Sequence, residues 1–374
     1  MGTHLCDRGV SSWDPTGGKM ASRDLFQGIM HYGDFDRMPV WHWRGWPETY
    51  DRWHQEGLPR DADESQFFRA ESQGGFGISY TGGLLPAFEE QTIEETDRYR
   101  VFRQSDGVVA QHFKDGSALP HYIDFLLKDR SGWGEYKKRL QPDASRIPEN
   151  LDEIATQATE SGKHVTIGTG SMVGWLRNWM GVESFCVACC EDPAFVAEVA
   201  DTIADLVCWC LEQILPKVHV DLGWGWEDIC FKTGPLVPPH VFETAAVPAY
   251  RKISDTLAKY GCHLHVVDSD GKIDELVPLW LRGGVNVMFP IEIGTWHADP
   301  AAYRKKYGKE LRVIGGIDKL VLERDRNDID DEIERRKPLM AQGGFIPLPD
   351  HLITPDTPLD NYRYYLDKIR SLRF

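Results

Sequence analysis

Eight short apolar runs recur along the chain, separated by longer stretches with helical spacing. They are Pro39–Trp43, Phe76–Tyr80, His164–Gly168, Val218–Trp224, Cys262–Val267, Val285–Pro290, Leu311–Gly315 and Gly344–Leu348. Each is rich in Val, Ile or aromatic residues, which favour strands. The segments between them, such as FETAAVPAYRKISDTLAKY and IDELVPLWLRGG, repeat their apolar residues every three to four positions. Alternating strands and helices require parallel pairing with right-handed crossovers. Eight such units predict an α/β fold, a distorted (β/α)8 TIM barrel, with a doubly wound sheet as the competing arrangement. Residues 88–113 break the rhythm. They alternate polar and apolar residues around Ser105-Asp106-Gly107, which predicts a β-hairpin inserted after strand two and placed to cover the barrel mouth.

The 374 residues are 41% hydrophobic, enough for a large core, and no linker or repeat divides them. We expect residues 1–19 to form a disordered N-terminal extension without an apolar signal region, and residues 20–374 to form a single domain. Lysine and arginine number 42 against 58 acids, a net charge of -16, which argues against nucleic-acid or anionic-membrane partners. No run reaches the roughly 18–20 apolar residues of a membrane span. The cysteines are read as reduced thiols of a cytoplasmic protein. Cys186, Cys189, Cys190, Cys208 and Cys210 lie in helical patterns, where cysteine serves as a small hydrophobe rather than a metal ligand.

Catalytic groups of such a barrel sit at the carboxyl ends of its strands. Those ends carry Trp43, Arg44 and Trp46 after strand one, Tyr80 after strand two and Gly168-Thr169-Gly170-Ser171 after strand three. Trp226, Glu227 and Asp228 follow strand four, and Asp268-Ser269-Asp270 follows strand five. Glu292, Asp318 and Asp350-His351 complete the ring. Seven acids at one mouth cannot all be ionised and unpaired. A bound cation, a cationic substrate or protonated catalytic acids would resolve the conflict. Asp268, Asp270, Glu292 and His351 offer an oxygen and imidazole set suited to zinc or another divalent ion. His351, Asp270, Glu227 and Asp228 are the candidate catalytic groups. Trp43, Arg44, Trp46, Tyr80 and Trp226 are the candidate substrate wall, which fits a flat ligand or a cation held against a ring. Each aspartate also has a structural reading as a helix cap or turn residue. The Gly-rich GTGS segment could cradle a phosphate, or Thr169 and Ser171 could simply cap the following helix. His263 and His265 are expected to be packed barrel residues.

The segments DRMPVW, WEDICFKTGPLVPPHVFETAAVPAY, VDSDG, PIEIG, YGKELRVIGGIDK and IPLPDHLITPDTP resemble the uroporphyrinogen decarboxylase superfamily across residues 20–374. The resemblance implies a distorted (β/α)8 barrel. It also implies one of several activities: porphyrinogen decarboxylation, corrinoid-linked methyl transfer or thiol methylation. Thiol-methylating members bind zinc through a His-x-Cys after strand five, an acid on strand six and a Cys after strand eight. Here Asp268-Ser269-Asp270 takes the first place, Glu292 falls 22 residues after Asp270, and Asp350-His351 takes the last. Both cysteines are therefore replaced. The decarboxylases carry an Arg-rich segment after strand one, an Asp near the end of strand two and a His after strand eight. His351 matches the last and Arg44 is a remnant of the first, but strand two offers no matching Asp. An octacarboxylate in so acidic a mouth would be repelled.

The expectation is a methyltransferase that moves a methyl group from a small methylated substrate, a methoxylated aromatic by O-demethylation, to a corrinoid. The corrinoid would be carried on a separate partner protein, because no corrinoid-binding domain is evident. A decarboxylase of a small or tetrapyrrole carboxylate is one alternative, and a non-catalytic ligand-binding barrel is another. A homodimer is compatible with this reading.

Overall fold

The computed structural model describes residues 20–115 and 120–374. The expected extension over residues 1–19 lies outside the described residues. Thirteen strands are described in chain order. They are β1 (Phe76–Ile78), β2 (Gln91–Glu95), β3 (Tyr99–Arg103), β4 (Val109–Phe113), β5 (His121–Asp124), β6 (Val165–Gly170), β7 (Leu222–Trp226), β8 (Cys230–Phe231), β9 (Gly234–Pro235), β10 (His265–Asp268), β11 (Val287–Phe289), β12 (Arg312–Ile314) and β13 (Phe345–Ile346). Seven of them form one parallel sheet in the order β1-β6-β7-β10-β11-β12-β13. Neighbours in the sheet are therefore consecutive along the barrel path, as the alternating pattern predicts.

The expected first strand, Pro39–Trp43, is an extended segment and not a regular strand. It joins its neighbours only through isolated parallel bridges, Trp41 to Glu71 and Gly45 to Ile353. Apart from the Glu71 N–H, which donates to the Val40 carbonyl at 2.7 Å, side chains rather than a strand ladder meet its backbone. The Val40 N–H donates to the Glu71 carboxylate. The Tyr362 hydroxyl accepts from the Trp43 N–H at 3.1 Å and lies 3.2 Å from the Trp43 carbonyl. Pro39 supplies no donor at all. The segment still lies between the last strand region and the start of β1, so the curled sheet is bridged on that side by tertiary contacts.

The inserted hairpin is in fact a four-stranded antiparallel sheet in the order β2-β3-β4-β5. Its central turn falls where Ser105-Asp106-Gly107 placed it. The Asp106 carboxylate accepts from the Val108 N–H, and Gly107 adopts a positive φ of 89° that a side chain would resist. The short polar run HYID of β5 has no clear alternation, which hid it from the pattern.

The long helices Pro193–Ile214 and Pro239–Lys259 pack on the outside of β6, β7 and β10. The first starts at Asp192, whose carboxylate accepts from the Phe195 N–H, and Pro193 fits its first turn. Val196, Val199, Ile203, Val207 and Leu211 of this helix are wholly buried. Each such side chain contributes roughly 1.5–3 kcal/mol by leaving water. Cys189 and Cys210 belong to the same core, and burial pushes their thiols up to about 12 and about 11. Among the described residues no helix is long and apolar enough to cross a membrane.

Two buried histidines set a pH dependence. His164 stacks on Phe26 at 4.2 Å, and His265 bonds Thr169 and Ser254. Burial lowers His164 to about 4 and His265 to about 3, from an ordinary 6.5. The unfolded chain therefore binds more protons below pH 6.5, so their stabilisation is complete above that value and is lost as pH falls through the folded pKa. Urea unfolding from pH 6.5 down to 4 should show the wild type losing stability relative to His164→Phe, by up to about 1.4 kcal/mol per pH unit. Parallel curves would contradict this reading. Removing the Tyr362 hydroxyl by substitution to Phe should cost about 1–3 kcal/mol in the same assay, because the Trp43 N–H loses its partner.

Candidate active site

Side chains alternate across a strand, so one face of each barrel strand points inward. His265 on β10 points outward, to Ser254 and Tyr250 of the helix Pro239–Lys259. Val266 and Asp268 therefore face the barrel interior. Asp268 is aligned with Trp226 on β7 and with Phe289 on β11. Phe289 lies 5.0 Å from both Trp43 and Trp224, ring centre to ring centre. These rings and Asp268 form the inner wall.

Just beyond the strand ends three ligand-type groups converge. One donor atom each from Asp270, Glu292 and His351 lies within 4.8 Å of the others. Asp268, also expected among the ligands, is not part of this triplet. His351 Nε2 is 3.2 Å from Asp270 Oδ2, while its buried Nδ1 has no partner among the described residues. Trp46 stacks on the His351 ring at 6.3 Å, and Trp43 flanks it at the same distance.

The triplet rests on a backbone scaffold. Asp228 holds a left-handed φ of 48°, a conformation that aspartate tolerates better than most residues. Its Oδ1 accepts from the Asp270 N–H at 3.0 Å. Glu292 accepts from the Gly271 N–H at 2.7 Å and from the Thr295 hydroxyl at 3.2 Å. Gly271 itself is obligatory: its φ is 86°, and a Cβ would sit 2.4 Å from the Cys230 carbonyl oxygen.

Burial and crowding raise the acids of this mouth. Asp268 is pushed up to about 8, first by burial and then by the charges of Asp228 and Asp270. Burial, then Asp270, raises Glu292 and offsets its hydrogen bonds. Asp228 rises mainly by burial.

Other sequence candidates take structural places. Glu227, expected to be catalytic, is wholly buried away from the mouth. Its carboxylate accepts from Ser171 Oγ, the N–H groups of Met172, Val173 and Gly174, and the Tyr250 hydroxyl. All this donor capacity leaves no lone pair directed at a substrate. The GTGS turn therefore does bind an anion, but the anion is the protein's own Glu227. Asp350 is likewise consumed, by the N–H groups of Ile293, Gly294 and Lys319. Asp318 caps the turn at Leu320. Tyr80, expected on the substrate wall, donates instead to the Gly168 carbonyl and sits towards Cys208 and Cys210 of the outer helix. Arg44 is exposed beside Trp43.

The sequence reading missed Arg177. It lies on the helix Gly174–Met180, with its guanidinium carbon 5.4 Å from the Trp226 ring centre. The WLRNW run directly after the GTGS turn was the available signal, since the helix that follows strand three begins at the mouth.

A family model described as uroporphyrinogen decarboxylase (URO-D) matches residues 112–372. A uroporphyrinogen decarboxylase of Picosynechococcus sp. is 24% identical over 184 residues, 48% of each chain. One from Synechocystis sp. is 22% identical over 186 residues, 49% of each chain. The chain thus spans about half the length of the curated relatives it matches. Among solved structures, a methyltransferase from Methanosarcina mazei superposes with a TM-score of 0.58 at 14% identity, covering 94% of this chain and 98% of that one. At that identity the match speaks for the shared barrel fold. With the family model covering most of its length, the chain belongs to the uroporphyrinogen decarboxylase family.

Proposed function

We propose that this chain is a methyltransferase that takes a methyl group from a small methoxylated aromatic and passes it to a corrinoid on a partner protein. The observation that carries the reading is the convergence of Asp270, Glu292 and His351 within 4.8 Å against a wall of tryptophans. Two carboxylates and an imidazole suit a divalent ion such as zinc. The like-charged neighbours Asp270 and Glu292 also favour a cation there. Asp270, Glu292 and His351 would hold the ion, which would supply Lewis-acid stabilisation of a leaving oxygen.

The chain's own residues do the rest. Asp228 and Gly271 fix the backbone that presents Asp270 and Glu292. Trp43, Trp46 and Phe289 provide flat surfaces that orient an aromatic ring and exclude water. In the transfer the methyl–oxygen bond breaks, the bonding pair stays on oxygen as a phenolate, and the methyl leaves for the nucleophilic corrinoid. The good superposition on a methyltransferase fold is compatible with this reading. A decarboxylase of a small carboxylate is the second reading, favoured by the description of the family and by the two curated relatives. Carbon dioxide release without any corrinoid would select it.

Purified protein with a reduced corrinoid partner should demethylate at least one member of a methoxyarene panel, and no product across the panel contradicts the proposal. Elemental analysis should find stoichiometric zinc or another divalent metal, lost in Asp270→Ala and His351→Ala. Asp228→Ala should weaken metal binding about 10–100-fold through the Asp270 backbone. Glu227→Ala should cost on the order of 3 kcal/mol in stability through its orphaned backbone donors, and should weaken metal binding as well by loosening the turn that seats Asp228.

A further inference from the structure

Arg177 is a half-buried guanidinium with unused donors beside a group of acids. Its position is fixed from below. Glu227 accepts from the N–H groups of Met172, Val173 and Gly174 and so pins the start of the helix that carries Arg177 one turn later. The side chain then crosses the Trp226 ring. Among the described residues its side chain makes one hydrogen bond, from Nη2 to the Glu227 carbonyl oxygen at 3.5 Å, a weak contact. Its buried Nε has no partner among the described residues, as is true of several other arginines. Asp228 and Tyr122 of β5 lie within electrostatic reach, but no hydrogen bond to Arg177 comes from either among the described residues. Asp228 spends Oδ1 on the Asp270 N–H instead. A guanidinium whose side chain makes a single weak bond keeps donor capacity for an acceptor that enters the site.

The surroundings define that acceptor. Asp228, Asp268, Asp270 and Glu292 are acids, and Arg177 sets a positive charge over the Trp226 ring beside them. A planar guanidinium pairs best with a planar carboxylate. Trp226 lies under Arg177, and on the other side of Asp268 a run of rings goes from Phe289 through Trp43 to His351. A flat substrate lying along them would meet Arg177 at one end and the Asp270, Glu292 and His351 triplet at the other. We propose that Arg177 anchors a single carboxylate of the substrate, which makes the substrate class a methoxylated aromatic acid. One guanidinium matches one carboxylate and cannot neutralise a polycarboxylate. The assignment rests on the methyl-transfer reading for the identity of the reacting end, but the binding end is tested by itself.

Isothermal titration of the purified protein, with no corrinoid present, reads the binding directly. Para-methoxybenzoate should bind about tenfold or more tightly than the neutral para-methoxybenzamide. Arg177→Met should abolish that preference by weakening the acid at least about tenfold while leaving the amide unchanged. Arg177→Lys should keep part of it, and it also serves if the Met variant fails to fold. Absence of benzoate binding, equal affinity for acid and amide, a stronger affinity for para-methoxybenzylamine, or an equal loss of both ligands in the variants would overturn the assignment. Carboxylate selectivity through Arg177 without methyl transfer would retain it and sink the transfer reading. Demethylation of para-methoxybenzoate by Arg177→Met with unchanged kcat and KM would do the reverse.

Discussion

The carboxylate of Glu227 is the point on which the mouth is hung. Burying a charged group is costly unless donors surround it, and five donors surround this one. They tie the end of β7 to the turn after β6 and to the helix Pro239–Lys259 at once. Burial nonetheless raises the Glu227 pKa, so the clamp is a balance between desolvation and hydrogen bonding. Gly174 shows how tight the junction is, since a Cβ there would sit 2.2 Å from the Glu227 carbonyl oxygen. From this fixed residue the chain steps into the left-handed turn at Asp228, which holds Asp270 on the next strand. The same clamp starts the helix that bears Arg177. Both ends of the proposed substrate slot therefore depend on one buried acid that touches no substrate.

Much of the barrel was legible because its strands are buried on both faces and read as apolar runs bounded by helical spacing. Seven of the eight expected strands exist, with shifts of a few residues at their ends. The shift is largest at Val218–Trp224, where the regular pairing runs Leu222–Trp226 and includes Trp226, which faces the interior beside Asp268. Pro39–Trp43 has strand-like composition, yet its hydrogen bonds go to Glu71 and to the Tyr362 side chain, which no local pattern reveals. The inserted sheet was detected by its alternation and its Asp-Gly turn, but β5 is too short and too polar to signal itself.

The site was legible as a set of acids at strand ends and illegible in its division of labour. Glu227, Asp268, Asp270, Glu292 and Asp350 look alike in sequence. Hydrogen-bond partners separate them: Glu227 and Asp350 are filled by backbone donors, while Asp270 faces His351. Those partners come from residues 21 to 81 positions away, so only the fold can pair them. Arg177 escaped notice for a related reason, since a lone arginine within a helix ordinarily signals a solvated face.

The central claim is that Asp270, Glu292 and His351 form an oxygen and nitrogen metal centre in place of the thiolate centre implied by the resemblance to thiol-methylating relatives. X-ray absorption spectroscopy of the zinc-loaded protein tests it most directly. The account predicts a shell of oxygen and nitrogen scatterers at about 2.0–2.2 Å with imidazole multiple scattering, which disappears in His351→Ala. A sulfur shell at about 2.3 Å, or zinc whose spectrum is unchanged by that substitution, would contradict it.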